Sequence, residues 1–108
     1  MQRTTTDSRA TIVRLSDGRY ELAGELDFDS VPLLLEQAER LFATDPAKST
    51  VVDLAAVNRG NSAALGLLLE WVRMFQQQNR EIHFRHVPDE LLAIAHVSDL
   101  DDLLPVAS

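Results

Sequence analysis

Residues 51–75 constrain the fold of this chain more than any other stretch, because a short β-branched run leads directly into a long apolar helical pattern. Residues 51–57 predict a strand that other elements cover, since a short β-branched run is typical of a buried strand. Residues 58–64 predict a tight polar turn, in which Gly60 provides conformational freedom. We therefore expect a buried strand, a turn and a central helix, with the remaining elements packed around this unit.

The central helix carries more apolar surface than packing on a sheet requires. Asn61 or Ser62 is expected to cap it by accepting a hydrogen bond from a free N–H group. At 100° per residue, one apolar stripe contains Leu65, Leu68, Leu69 and Val72, and a second contains Leu67, Trp71 and Met74. Burial against neighbouring helices would explain Leu67. Large aromatic side chains and Met are enriched at interface centres, so Trp71 and Met74, which are next to Glu70 and Arg73, predict a patch for a protein partner.

The rest of the chain alternates between strand and helix patterns. In chain order we predict strands at residues 11–15 and 20–23, a helix capped by Asp29 or Ser30 that ends near Pro46, a strand at residues 81–86, a helix from Pro88 to Leu100, and a short strand or extended tail at residues 103–106. This order predicts an α/β fold whose mixed sheet is mainly parallel with an antiparallel N-terminal hairpin. Alternation in the outer strands places the helices mainly on one face. Residues 1–10 are expected to be a polar flexible tail and residues 11–108 a single domain.

Composition disfavours several classes of function. The 108 residues have a formal net charge of -7 and contain no cysteine. Nucleic-acid binding requires a basic surface that displaces counterions, so it is disfavoured. No apolar run approaches the roughly 20 residues that span a bilayer, and the N-terminus lacks the apolar core of a secretory signal. We expect a cytoplasmic protein without direct membrane insertion.

The sequence shows no convincing catalytic or metal site. His83 and His86 are three residues apart on a predicted strand and point to opposite faces, so they cannot share a metal ion. No motif surrounds Ser62 that would make it a nucleophile. The carboxylates of two loops are Glu25, Asp27 and Asp29, and Asp99, Asp101 and Asp102. We interpret them as solvated, and we predict no enzyme activity, metal or cofactor. A small enzyme or ligand sensor that uses these acidic loops is the least favoured hypothesis.

The strand–turn–helix stretch resembles the STAS domain family, the fold of bacterial anti-sigma factor antagonists. In that family a strand ending in Asp-Leu is followed by Asp-Ser/Thr-x-Gly-Leu at the start of a helix. The counterparts here are residues 52–54 and residues 61–65, and residues 24–27 resemble the Gly-x-Leu-Asp that precedes the first helix of the family. Residues 67–73 and 93–105 are similar to the STAS subunits of Mla-type phospholipid-transport ABC systems.

This resemblance implies a non-enzymatic regulator that binds the cytoplasmic ATPase subunit of a transporter, together with its permease, and is therefore peripheral to the inner membrane. The alternative is an anti-sigma factor antagonist that is switched by phosphorylation of Ser62. Asn61 replaces the acidic residue of the motif and Ala64 replaces the usual Gly, which disfavours recognition of Ser62 by a kinase. The predicted partner-binding residues are Asn61, Ser62, Ala63, Leu67, Glu70, Trp71 and Met74.

Overall fold

Strands and helices alternate in the computed structural model of the protein, which describes residues 9–107. The strands are β1 (Thr11–Ser16), β2 (Arg19–Leu26), β3 (Ser49–Gly60) and β4 (Glu81–Arg85). The helices are α1 (Val31–Ala43), α2 (Ser62–Gln77) and α3 (Asp89–Val97), and a short 3-10 turn follows at Asp101–Leu103. The strands form one sheet in the order β1-β2-β3-β4, in which β1 and β2 are antiparallel and the other pairs are parallel. The predicted mixed α/β sheet with an antiparallel N-terminal hairpin is confirmed.

The helices cover one face of the sheet, as the alternation in the strands predicted. The buried strand residues on that face include Tyr20, Leu22 and Leu26 of β2, Val52 and Leu54 of β3, and Ile82 and Phe84 of β4. Their neighbours Glu21, His83 and Arg85 are exposed or only partly buried. Because side chains alternate between the faces of a strand, this pattern leaves the second face open to solvent.

The central strand β3 is longer than predicted, and the turn that follows it is shorter. The strand continues to Gly60 because β2 continues beside it, with Glu25 paired to Arg59 and Leu26 paired to Gly60. Gly60 has no left-handed backbone, so its predicted role in a flexible turn is wrong. A Cβ atom at this position would lie 3.1 Å from Leu91 and 3.2 Å from Ala64. The glycine therefore allows α2 and α3 to pack closely on the end of the strand.

Trp71 lies in the core rather than on a partner surface, so this part of the prediction is wrong. Its side chain is 0% exposed, and Leu67 is 1% exposed. The Trp71 ring packs edge-on against Phe42 of α1, with the ring centroids 5.5 Å apart. The two predicted stripes of α2 are flanks of one broad buried arc, and Trp71 lies near its centre. Trp71 contacts α1 through Phe42, whereas Met74 on the same flank is only partly buried.

The two ends of the described chain adjoin the sheet. Most of the predicted N-terminal tail, residues 1–8, lies outside the described residues, but Ala10 is buried and belongs to the core. At the C-terminal end, Val106 forms a parallel bridge with Phe84 of β4, as expected for an extended segment. Among residues 9–107, no helix has both the length and the apolar character needed to cross a membrane.

Candidate partner-binding surface

Asn61 connects the end of the sheet to the start of α2. Its side-chain oxygen accepts a 2.8 Å hydrogen bond from the backbone N–H of Ala63, so Asn61, rather than Ser62, is the helix cap. Its own backbone N–H donates to the carbonyl of Leu26 at 3.3 Å. The cap therefore fixes α2 against the end of β2.

Ser62 is the first residue of α2, and its side chain is exposed. Because Asn61 caps the helix, the hydroxyl of Ser62 is not needed for that role. The unpaired N–H groups of the first turn give this end of the helix a partial positive charge. Ser62 therefore presents a hydroxyl to solvent at an electropositive position, where either a partner or a modifying enzyme could reach it.

The loop between β2 and α1 lies beside this helix end and presents an exposed aromatic ring. Asp27 accepts hydrogen bonds of 3.0 Å from the backbone N–H groups of Asp29 and Ser30, and the Ser30 hydroxyl donates to the carbonyl of Glu25 at 3.0 Å. Ser30 occupies the cap position of α1, but its side chain bonds the loop instead of the helix. The loop is thus ordered by its own polar groups, and it holds Phe28 with 71% of its surface exposed.

A groove of about 530 Å³ runs between α1 and α2. Its lining residues are Pro32, Leu35, Glu36 and Glu39 of α1 and Gly66, Glu70 and Met74 of α2. Leu35 and Met74 are partly buried against the core and form apolar lining, whereas the glutamates provide negative charge. The predicted residues Glu70 and Met74 therefore lie on an accessible concave surface. Asn61, Ser62 and Ala63 lie at the start of the same helix, while Leu67 and Trp71 are buried beneath it.

The groove carries an excess of negative charge. Glu36 pairs with Arg40 at 2.9 Å, and Glu70 pairs with Arg73, whose hydrogen bond holds the pKa of Glu70 below its ordinary value. Glu39 has no ion pair among residues 9–107. Arg40 and Arg73 are not lining residues of the groove. A partner that occupies this groove meets carboxylates first, which favours a segment rich in Lys or Arg.

Two histidines bond separate carboxylates and do not form one site. His86 bonds Asp53 at 2.9 Å, and His96 bonds Asp101 at 2.9 Å. Burial alone raises the pKa of Asp53, but hydrogen bonds from Ala55 N–H and His86 outweigh burial and lower it. Within residues 9–107, no cluster of three or more His, Asp and Glu side chains could hold a metal ion.

Residues 13–105 match the protein family described as Mlab, STAS domain. No curated protein matches the sequence. A chain of the Acinetobacter MlaFEDB complex in its ATP-bound Vtrans2 conformation is similar in structure, with a TM-score of 0.72, 25% sequence identity, and coverage of 82% of this chain and 93% of that chain.

Two solved structures of antagonist proteins share the fold at lower identity. An anti-sigma factor antagonist from Mycobacterium paratuberculosis has a TM-score of 0.70 and 21% identity, covering 95% of this chain and 89% of that chain. The phosphorylated form of the Bacillus cell fate determinant SpoIIAA has a TM-score of 0.66 and 13% identity, covering 92% of this chain and 91% of that chain. The predicted STAS-like fold is confirmed.

Proposed function

Because this chain belongs to the MlaB-type STAS domain family, we propose that it is a non-enzymatic subunit that binds the cytoplasmic ATPase of an Mla-type phospholipid ABC transporter. It regulates or stabilises that ATPase and stays at the cytoplasmic face of the inner membrane through it. The similarity to a chain of the ATP-bound MlaFEDB complex supports this proposal over other functions of the fold.

The observation that carries the proposal is the combination of an exposed Ser62 with the neighbouring groove. Ser62, Glu70 and Met74 lie on α2, and Phe28 lies in the loop beside its N-terminus. Together they provide a polar contact, a concave surface and an aromatic anchor, which are the ordinary components of a protein interface. The pairs of His86 with Asp53 and of His96 with Asp101, in contrast, are isolated on the surface.

An anti-sigma factor antagonist is the second candidate, and the exposure of Ser62 is the observation that favours it. A hydroxyl at the first position of a helix is accessible to a kinase, and a phosphate there would be stabilised by the helix N-terminus. The same charge would disrupt a closely packed interface, so phosphorylation could switch binding. Asn61 in place of the acidic residue of the motif weakens this candidate.

The decisive experiment is a pull-down of the tagged chain from detergent-solubilised membranes and from the soluble fraction of the same cells, followed by mass identification. Wild type is compared with Ser62→Glu and with Ser16→Glu, which adds the same charge at the exposed end of β1. We expect wild type and Ser16→Glu to recover an ABC ATPase with its permease, and Ser62→Glu to lose both. Recovery of a kinase-like anti-sigma factor instead would establish the second candidate, and recovery of neither would refute both.

A further inference from the structure

Gly66 has no role in the packing of the described domain. It lies in the second turn of α2 and is exposed. A Cβ atom built at this position would meet no atom within 4 Å. The contrast with the other glycines is clear, because a Cβ atom at Gly18 or Gly24 would lie 2.6 Å or 2.5 Å from a backbone oxygen.

The backbone at Gly66 does not require glycine either. Its φ angle is not positive, whereas Gly18 and Gly24 both adopt left-handed conformations. Glycine is the weakest helix former after proline, since it loses the most backbone freedom on folding. At Gly66 the domain therefore carries a helix-weakening residue, and the structure of residues 9–107 gives no internal reason for it.

The position of Gly66 indicates that the glycine serves contact with another molecule. The residue lines the groove between α1 and α2, with Leu35 and Met74 among its apolar lining residues. Absence of a side chain allows a second backbone to approach a helix more closely than any other residue permits. The charged lining residues are Glu36, Glu39 and Glu70. Glu36 and Glu70 are paired with arginines that do not line the groove, so the negative charge that an approaching segment meets comes chiefly from Glu39.

We infer that Gly66 is the point of closest approach for a basic amphipathic helix of the ATPase subunit, which lies in the groove between α1 and α2. This inference rests on the proposed function. The apolar side of that helix contacts Leu35 and Met74, and its Lys or Arg side chains pair with the glutamates, above all with the unpaired Glu39. A side chain at position 66 separates the two helices and weakens both sets of contacts.

The test measures the affinity of purified variants for the detergent-solubilised ATPase–permease complex from which this chain has been removed. Gly66→Ala adds one methyl group, and Gly66→Gln adds a longer side chain that still favours a helix. We expect Gly66→Ala to weaken binding several-fold and Gly66→Gln to weaken it by about tenfold or more, since each added group blocks the close contact. Glu39→Lys should weaken binding by about tenfold through charge repulsion.

Two controls separate binding from folding. Ala93→Gln makes the same kind of enlargement at an exposed position of α3, away from the groove, and should leave affinity unchanged. Gly66→Ala should raise the melting temperature by about 2–6 °C, because it removes a poor helix former from an uncrowded site. A variant that is more stable but binds more weakly is the signature of a glycine kept for contact with a partner.

The outcomes distinguish this inference from the proposed function. If wild type binds the complex and Gly66→Gln binds equally well, the inference is wrong and the proposed function stands. If Gly66→Ala lowers the melting temperature, the glycine serves the fold and the inference is also wrong. If wild type does not bind the complex at all, the proposed function fails and the inference fails with it.

Discussion

The hydroxyl of Tyr20 donates a 2.7 Å hydrogen bond to Asp45, whose carboxylate side chain has 0% exposed surface. The same carboxylate accepts hydrogen bonds from the backbone N–H groups of Gly18 at 2.8 Å and Ala47 at 2.9 Å. It thus joins the β1–β2 turn to the loop after α1. Burial alone raises the pKa of Asp45, but these hydrogen bonds outweigh burial and hold the pKa below its ordinary value. Burial, followed by the bond to Asp45, raises the pKa of Tyr20.

Replacing this buried carboxylate should make the domain less stable in a pH-dependent way. Asp45→Asn should lower the free energy of unfolding at pH 7 by about 2–3 kcal/mol, because the charge is removed and the amide NH2 group faces a donor that the carboxylate oxygen had accepted from. A lowered folded-state pKa means that the stabilisation is present above the unfolded-state pKa of about 3.9 and is lost as the pH falls through the folded-state value. Urea unfolding at pH 7 and pH 3 measures the difference between wild type and variant.

We expect that difference to shrink at pH 3, because protonation of the Asp45 carboxylate removes the charge that the hydrogen bonds stabilise. Asp102→Asn, which changes an exposed carboxylate, provides the control and should unfold like wild type at both values. A difference between wild type and Asp45→Asn that is equally large at pH 7 and pH 3 would show that shape rather than charge matters at this position.

Trp71 should be a determinant of stability and not of binding. Trp71→Ala should lower the free energy of unfolding by roughly 3–5 kcal/mol, since it leaves a cavity next to Phe42. The buried indole N–H has no hydrogen-bond acceptor among the described residues, so Trp71→Phe should cost much less. Chemical denaturation measures the free energy of unfolding of both variants. Equal stability of Trp71→Ala and wild type would contradict the core position of this side chain.

Much of the fold could be predicted because its signals are local. The alternation of Ile82 and Phe84 marks a strand with one covered face, and the arrangement of a polar cap before an apolar run marks the start of α2. The position of Trp71 could not be predicted in the same way. Whether a second apolar flank of a helix meets another helix or solvent depends on where α1 packs, and that is decided by contacts distant in sequence, such as Trp71 with Phe42.

The candidate site, too, could be predicted only where its signals are local in sequence. The cap formed by Asn61 and the exposure of Ser62 follow from a short sequence pattern at the helix start. The groove is a property of two helices, so the contribution of Glu39 and Leu35 could not be seen along the chain. Phe28 was missed because a single aromatic residue in a loop usually folds back onto the core; its only signal was the flanking pair Asp27 and Asp29, which keeps the loop polar.

Phe28 should contribute to binding and not to stability. Because most of its surface is exposed, Phe28→Ala should change the free energy of unfolding by less than about 0.5 kcal/mol. Exposed aromatic residues beside an interface are frequent anchors, so the same variant should weaken binding to the ATPase–permease complex by about tenfold. Titration of the complex with each variant measures the affinity. Leu103→Ala, which removes another exposed apolar side chain near the C-terminus, should bind normally; similar losses for both variants would show a non-specific effect.

Introducing an acidic residue before Ser62 tests whether Asn61 prevents phosphorylation of this chain. Asp accepts the hydrogen bond from the Ala63 N–H as Asn does, and its charge interacts favourably with the helix N-terminus, so Asn61→Asp should stabilise the domain by about 0.3–1 kcal/mol. With an anti-sigma-type kinase and ATP, we expect no phosphate on Ser62 of wild type, since Asn61 lacks the charge of the motif.

The labelling is measured by intact mass, with Ser62→Ala as the background. If the acidic residue alone governs recognition, Asn61→Asp gains a phosphate while wild type does not. Stoichiometric labelling of wild type would show that Asn61 is no barrier, and it would favour the antagonist over the transporter subunit. Absence of label in both proteins would show that an acidic residue at position 61 is not sufficient for phosphorylation, with Ala64 in place of the usual glycine as the next position to exchange.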